Sequence, residues 1–148
     1  MSPAEAYRVG TQAFSAGQFD VALRHLRTIP QAQALHLAAV SAQKLDQLDI
    51  AADLFRGALK LGPSDPNILN PELLFMLGRT HLEQNKVESA EQLFASSFSR
   101  APTDYALRNL ANLYWMQGAT EKFTALIDHA PAGLRHAAIR LVIESGDV

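Results

Sequence analysis

Cysteine is absent from the 148-residue sequence, which excludes disulfide bonds and thiolate metal ligands. Long apolar runs are absent too, and a membrane-spanning helix needs about 18 or more such residues in succession. The net charge is −2, so no basic surplus indicates binding to nucleic acid or to an anionic membrane. The opening residues, MSPAEAYRVG, carry a glutamate and lack the apolar core of a signal peptide. We therefore expect a cytoplasmic protein that binds neither nucleic acid nor membranes.

Motifs of catalysis are missing as well. The sequence contains no Gly-x4-Gly-Lys-Ser/Thr loop for phosphates, no Gly-x-Gly-x-x-Gly and no His-Glu-x-x-His. No two histidines are separated by three or four positions, as two metal ligands on one helix would be. We expect no enzyme activity, no catalytic residue, no cofactor and no metal site in these residues. We therefore look for function in surface residues that could bind a partner.

The apolar residues that are present recur every three or four positions, which predicts helices and almost no strand. Short polar or proline-containing breaks divide the chain into about nine helices. The longest break covers residues 62–71. Asn70 followed by Pro71 at its end predicts a helix that begins there, with an N-cap residue and a first-turn proline.

Comparison of the sequence with itself reveals four copies of one pattern. Each copy has a small residue inside its first helix, and these residues are Gly10, Ala39, Gly78 and Ala111. A glycine, aspartate or asparagine follows seven positions later, at Gly17, Asp46, Asn85 and Gly118. In three copies the second helix then carries an alanine, and in two of these a phenylalanine lies four residues after it: Ala22, Ala51 with Phe55, and Ala90 with Phe94.

This pattern resembles the tetratricopeptide repeat, a helix–turn–helix unit of about 34 residues with Ala-x3-Phe in its second helix and a proline after it. The resemblance implies an all-α fold, a right-handed α-solenoid of about four such repeats with one extra C-terminal helix. Residues 1–148 would form a single domain, with repeats at 3–31, 32–70, 71–103 and 104–131 and the extra helix at 132–146. Residues 66–70 look like an insertion between the second and third repeats.

Gly78 lies in the middle of a predicted helix, where glycine costs about 1 kcal/mol relative to alanine. In the implied solenoid, the two helices of a repeat cross at this residue, and a side chain would hold them apart. Gly10 occupies the same register in the first copy. The alternative is that Gly78 marks a kink. We assign the four small residues, together with the alanines and phenylalanines of the second helices, to packing between helices.

The resemblance also implies that the first helices of successive repeats line a concave groove, where a peptide or partner protein binds. The residues expected to face it include Tyr7, Phe14, His36, Phe75, Arg79, Arg108, Asn112 and Trp115, together with Val40 and Gln43 of the second repeat. Aromatic residues and arginine carry much of the binding energy at protein interfaces. An acidic or amide-rich peptide would suit these side chains. The alternative for Phe75 and Trp115 is a place in the core between repeats.

The last predicted helix is apolar over most of its circumference, whereas a capping helix should have a polar outer face. We therefore expect this chain to be the N-terminal part of a longer protein, or to self-associate through residues 134–145. We favour a non-catalytic protein–protein interaction module. The alternative is a substrate-recruiting domain that precedes a transferase or hydroxylase domain, an arrangement found in bacterial proteins similar to this chain. An architectural spacer is a third possibility.

Overall fold

The computed structural model describes the backbone of residues 1–62 and 66–144, and the side chains of residues 1–62, 70–136, 139 and 140. Within these ranges the protein is helical, without a strand. The helices are α1 (Pro3–Ser15), α2 (Phe19–Leu26), α3 (Ala32–Lys44), α4 (Leu48–Leu61), α5 (Pro66–Glu83), α6 (Val87–Arg100), α7 (Asp104–Met116), α8 (Thr120–His129) and α9 (Ala132–Glu144).

Consecutive helices pack as pairs, α1 with α2, α3 with α4, α5 with α6 and α7 with α8. The second helix of each of the first three pairs also packs on the first helix of the next pair, and α7 packs on α9. This arrangement confirms the predicted all-α solenoid of helix–turn–helix repeats, with α9 as the extra helix. It brings the first helices of the pairs to one side of the solenoid, with the second helices on the other.

The same turn joins the two helices in all four repeats. Its central residue has a left-handed backbone, with φ of 77° at Gly17, 60° at Asp46, 64° at Asn85 and 69° at Gly118. In the first repeat the following amide, that of Gln18, donates a 2.8 Å hydrogen bond to the carbonyl of Ala13. This six-residue closure satisfies carbonyls at the helix end that would otherwise lack a donor. It explains why glycine, asparagine or aspartate recurs there.

Helix α4 ends at Leu61 and helix α5 begins at Pro66, so the predicted break at 62–71 is too long and the predicted start at Asn70 and Pro71 is wrong. Pro71 lies inside the helix and is fully buried. Its carbonyl accepts a 2.7 Å hydrogen bond from the buried Oγ of Ser97 on α6. Burial and this hydrogen bond stabilise Pro71 inside the helix, although the Asn70-Pro71 pair is typical of the start of a helix. The predicted insertion at 66–70 is therefore the first part of α5.

Three apolar clusters form the core along the solenoid. The first spans repeats one and two and includes Leu73 and Leu77 of α5. The second joins repeats three and four around Phe94 and Leu110, and the third surrounds Leu107 and Ile127 in the fourth repeat. No helix in the described part of the chain is long and apolar enough to cross a membrane.

Candidate partner-binding groove

The small residues of the repeat pattern lie where the two helices of a repeat meet. A Cβ atom on Gly10 would lie 2.5 Å from Cγ of Leu26, and one on Gly78 would lie 2.9 Å from the ring of Phe94. Both glycines are buried. The other residues assigned to packing have no exposed surface at all: Ala22, Ala39, Ala51, Phe55, Ala90, Phe94 and Ala111.

Residues three before, one after and four after each small residue share one helical face beside this packed stripe. The predicted groove residues occupy these positions. Arg79 and Arg108 are exposed. Partly exposed side chains occupy five of the other predicted positions, namely Tyr7, Phe14, His36, Asn112 and Trp115.

Phe75 does not belong to the open surface. It is only 7% exposed, and its ring centroid lies 5.6 Å from that of Phe94 and 4.6 Å from that of Tyr105. It therefore lies in the core between repeats three and four, which was the alternative interpretation. Phe75 is buried because residues of α6 and α7 both pack against this part of α5.

Trp115 combines packing with exposure. Its ring contacts Phe123 of α8 at a centroid distance of 5.3 Å, while part of the side chain remains open to solvent. Phe14 makes the comparable contact in the first repeat, 5.7 Å from Phe19. These aromatic pairs join the two helices of their repeats near the turn, so each ring presents only part of its surface to a partner.

A cleft of about 360 Å³ lies between the first helices of repeats two and three. Its lining consists of Val40, Gln43, Lys44, Met76, Arg79 and Glu83. The groove residues predicted from the sequence include three of these six, Val40, Gln43 and Arg79. Lys44, Met76 and Glu83 were missed because they lie beside the assumed register. Extending the register to five residues after the small residue includes Lys44 and Glu83.

Polar contacts connect α3 and α5 around this cleft. Nε2 of Gln43 donates a 2.9 Å hydrogen bond to Oε1 of Glu83. At the other end, Nε2 of His36 lies 3.8 Å from Oε1 of Glu72. Burial lowers the pKa of His36, and the nearby Glu72 carboxylate only partly opposes this shift. His36 is therefore neutral near pH 7, and its contact with Glu72 is a polar contact rather than a full ion pair.

The two predicted arginines differ in their surroundings. Nη1 of Arg108 forms a 3.3 Å salt bridge with Oδ2 of Asp104, one turn earlier in α7. Arg79 forms no salt bridge with any carboxylate among the described side chains. Nδ2 of Asn112 contacts Sδ of the exposed Met116 at 3.6 Å. Of the two predicted arginines, Arg79 therefore lies in the cleft and forms no salt bridge among the described side chains.

The described residues contain no group of three or more His, Cys, Asp or Glu side chains placed to hold a metal ion. The cleft between α3 and α5 is lined by cationic, amide, carboxylate and apolar side chains.

A family model described as tetratricopeptide repeat matches residues 36–97 and 75–133. These matches cover more than half of the chain, and the protein belongs to the tetratricopeptide repeat family. Membership supports a role as a protein-interaction module. Among curated proteins, none matches the sequence significantly.

Solved structures share the fold at low sequence identity. The crystal structure of MamA superposes with a TM-score of 0.77 at 13% identity, covering 99% of this chain and 82% of that one. A second structure, MamA AMB-1, gives 0.72 at 16% identity, with coverage of 98% and 83%. A putative kinesin light chain of Podosopora anserina with nearly identical TPR-like repeats gives 0.69 at 13% identity, with coverage of 98% and 89%. These similarities concern the fold.

Proposed function

We propose that the protein is a non-catalytic interaction module that binds a peptide or a segment of a partner protein along its concave groove. The observation that carries this proposal is the cleft between α3 and α5, whose lining combines Arg79 with the apolar residues Val40 and Met76. Arginine next to apolar surface is typical of the centres of protein interfaces. A single cleft of this size engages a few side chains, so affinities near the micromolar range are expected, about −8 kcal/mol.

A random-peptide phage library tests the proposal directly. The library is panned on the wild-type protein, and the enriched peptides are synthesised and titrated against wild type, Arg79→Glu and Arg24→Glu. Arg24 is an exposed arginine on α2, a second helix of a repeat, so its variant makes the same charge change away from the cleft. The expected result is a loss of about tenfold or more in affinity for Arg79→Glu alone.

Peptides that bind all three proteins equally well would contradict binding in the cleft. Both substitutions concern exposed side chains, so circular dichroism and thermal unfolding should show the same fold for the three proteins. A substrate-recruiting domain of a larger enzyme would use the same cleft, and the size of the natural polypeptide distinguishes it from an independent module. An architectural spacer would bind no peptide in this assay.

Self-association through residues 134–145 stays a prediction. Leu134 packs against the third core cluster, whereas Ile139 is 41% exposed. One exposed isoleucine is common on protein surfaces and does not by itself define an interface. The peptide-binding cleft lies between α3 and α5, so its proposed function does not depend on this contact.

A further inference from the structure

Arg79 and Glu83 of α5 are separated by four residues, the spacing at which opposite charges pair on a helix surface. They form no salt bridge. Elsewhere in this protein Arg108 pairs with Asp104, four positions earlier, at 3.3 Å, whereas Asp20 and Arg24, with the same spacing, form no salt bridge. Spacing alone therefore does not decide where the Glu83 carboxylate lies.

The Glu83 carboxylate has a partner across the cleft. Oε1 of Glu83 accepts a 2.9 Å hydrogen bond from Nε2 of Gln43 on α3. A carboxylate can only accept, so the amide nitrogen of Gln43 is the donor. This bond joins α3 to α5 beside the cleft and directs the Glu83 carboxylate toward the opposite helix. Among the described side chains no carboxylate pairs with the guanidinium of Arg79, so its N–H groups can donate to a ligand.

The surroundings of Arg79 define what can occupy this position. Lys44 supplies a second cation at the lining of the cleft, and it too has no salt bridge among the described residues. Val40 and Met76 supply the apolar part of the cleft lining. A guanidinium group can bind a carboxylate with two parallel hydrogen bonds. This bidentate geometry is strong and specific for side chains that are ionised at neutral pH.

We propose that this cleft is a carboxylate site for an acidic side chain of the bound peptide, flanked by an apolar one, and that Gln43 keeps the site open by holding Glu83 away from Arg79. Arg79 donates to the ligand carboxylate, and Gln43 is a positioning residue. This inference rests on the proposed function and adds the chemistry of the ligand. Without Gln43, the Glu83 carboxylate of the protein itself would compete for Arg79.

The test uses the peptides that the library yields on the wild-type protein, each made with Asp or Glu and again with Asn or Gln at the same position. Both forms are titrated by isothermal calorimetry against wild type, Gln43→Leu, Glu83→Gln and the double variant. The acidic form should bind wild type about tenfold more tightly than the amide form. Gln43→Leu should weaken the acidic form by about twofold to threefold and leave the amide form unchanged.

The double variant isolates the positioning role. Because Glu83→Gln removes the competing carboxylate, it should restore the affinity that Gln43→Leu loses. A double variant as weak as Gln43→Leu would mean that Gln43 contacts the peptide itself, which overturns the positioning role. Glu83→Gln alone should bind the acidic form at least as tightly as wild type. It retains Gln43, so it tests the competition even if Gln43→Leu folds poorly.

The outcomes separate this inference from the proposed function. Equal binding of acidic and amide peptides, with Arg79→Glu still weaker than wild type, would overturn the carboxylate site and leave groove binding intact. Failure to enrich any peptide that distinguishes Arg79→Glu from Arg24→Glu would overturn both.

Discussion

Gly78 and Phe94 are in such close contact that a methyl group on the glycine would lie 2.9 Å from both Cδ1 and Cε1 of the phenylalanine ring. The ring has no exposed surface, so it cannot move aside freely. This contact is the crossing of α5 and α6. It accounts for a glycine in a helix interior, where its weak helix propensity costs about 1 kcal/mol.

Gly78→Ala is expected to destabilise the protein despite the better helix propensity of alanine. Overpacking a core costs about 1–3 kcal/mol, and the gain in propensity offsets about 1 kcal/mol of that. We expect a net loss of up to about 2 kcal/mol in the free energy of unfolding, measured by urea titration.

Gly57→Ala is the matched control for this substitution. Gly57 lies inside α4, and the nearest atom to its added Cβ would be Cδ1 of Leu35 at an ordinary 3.4 Å. No overpacking then opposes the gain in helix propensity, and the free energy of unfolding should rise by up to about 1 kcal/mol. Equal effects at Gly57 and Gly78 would show that the helix crossing does not require glycine.

The spacing of small residues was sufficient to predict this architecture because it reflects a contact within each repeat. The register that relates Gly10 to Gly78 depends only on the two helices that cross there. The start of α5 could not be predicted in the same way. Its helical Pro71 is stabilised by Ser97, a residue 26 positions later whose hydrogen bond no local pattern records.

The cleft was predictable only in part, for a similar reason. Helical periodicity placed Arg79 on the groove face, and the structure puts it in the cleft. The same periodicity placed Phe75 there, but packing from α6 and α7 buries it. The bond between Gln43 and Glu83 joins residues 40 positions apart on different repeats. Such pairs depend on how repeats stack, which single-sequence spacing does not give.

The turn between helices offers a test of backbone strain without side-chain crowding. Gly17 has φ of 77°, and a Cβ placed on it would meet no atom within 4 Å. Gly17→Ala should therefore lower the free energy of unfolding by about 1 kcal/mol through backbone strain alone. Gly17→Asn should cost less, because asparagine tolerates this conformation and Asn85 adopts it in the third repeat.

Thermal and urea unfolding of both Gly17 variants beside the wild type would measure this difference. If Gly17→Ala were as stable as Gly17→Asn, left-handed strain would not be the reason for the recurring residue types at this turn.

His81 provides a titratable group between repeats two and three. It is 9% exposed, and its Nε2 lies 3.4 Å from Nη1 of Arg56 on α4. Arginine can only donate, so Nε2 accepts and the ring is neutral. Burial lowers the pKa of His81, and the positive charges of Lys86 and Arg56 lower it further. Burial also lowers the pKa of His36, with Glu72 opposing.

A histidine with a lowered pKa in the folded state destabilises the protein on acidification. As the pH falls below about 6.5, the unfolded chain binds a proton that the folded chain still excludes, so the free energy of unfolding decreases. This loss ends only below the folded-state pKa. His81→Gln keeps an acceptor for Arg56 but cannot titrate, so urea unfolding between about pH 8 and about pH 5 should show a shallower decline. Parallel declines in both proteins would exclude His81 as a source of acid sensitivity and leave His36, whose pKa is also lowered, as the group to replace next.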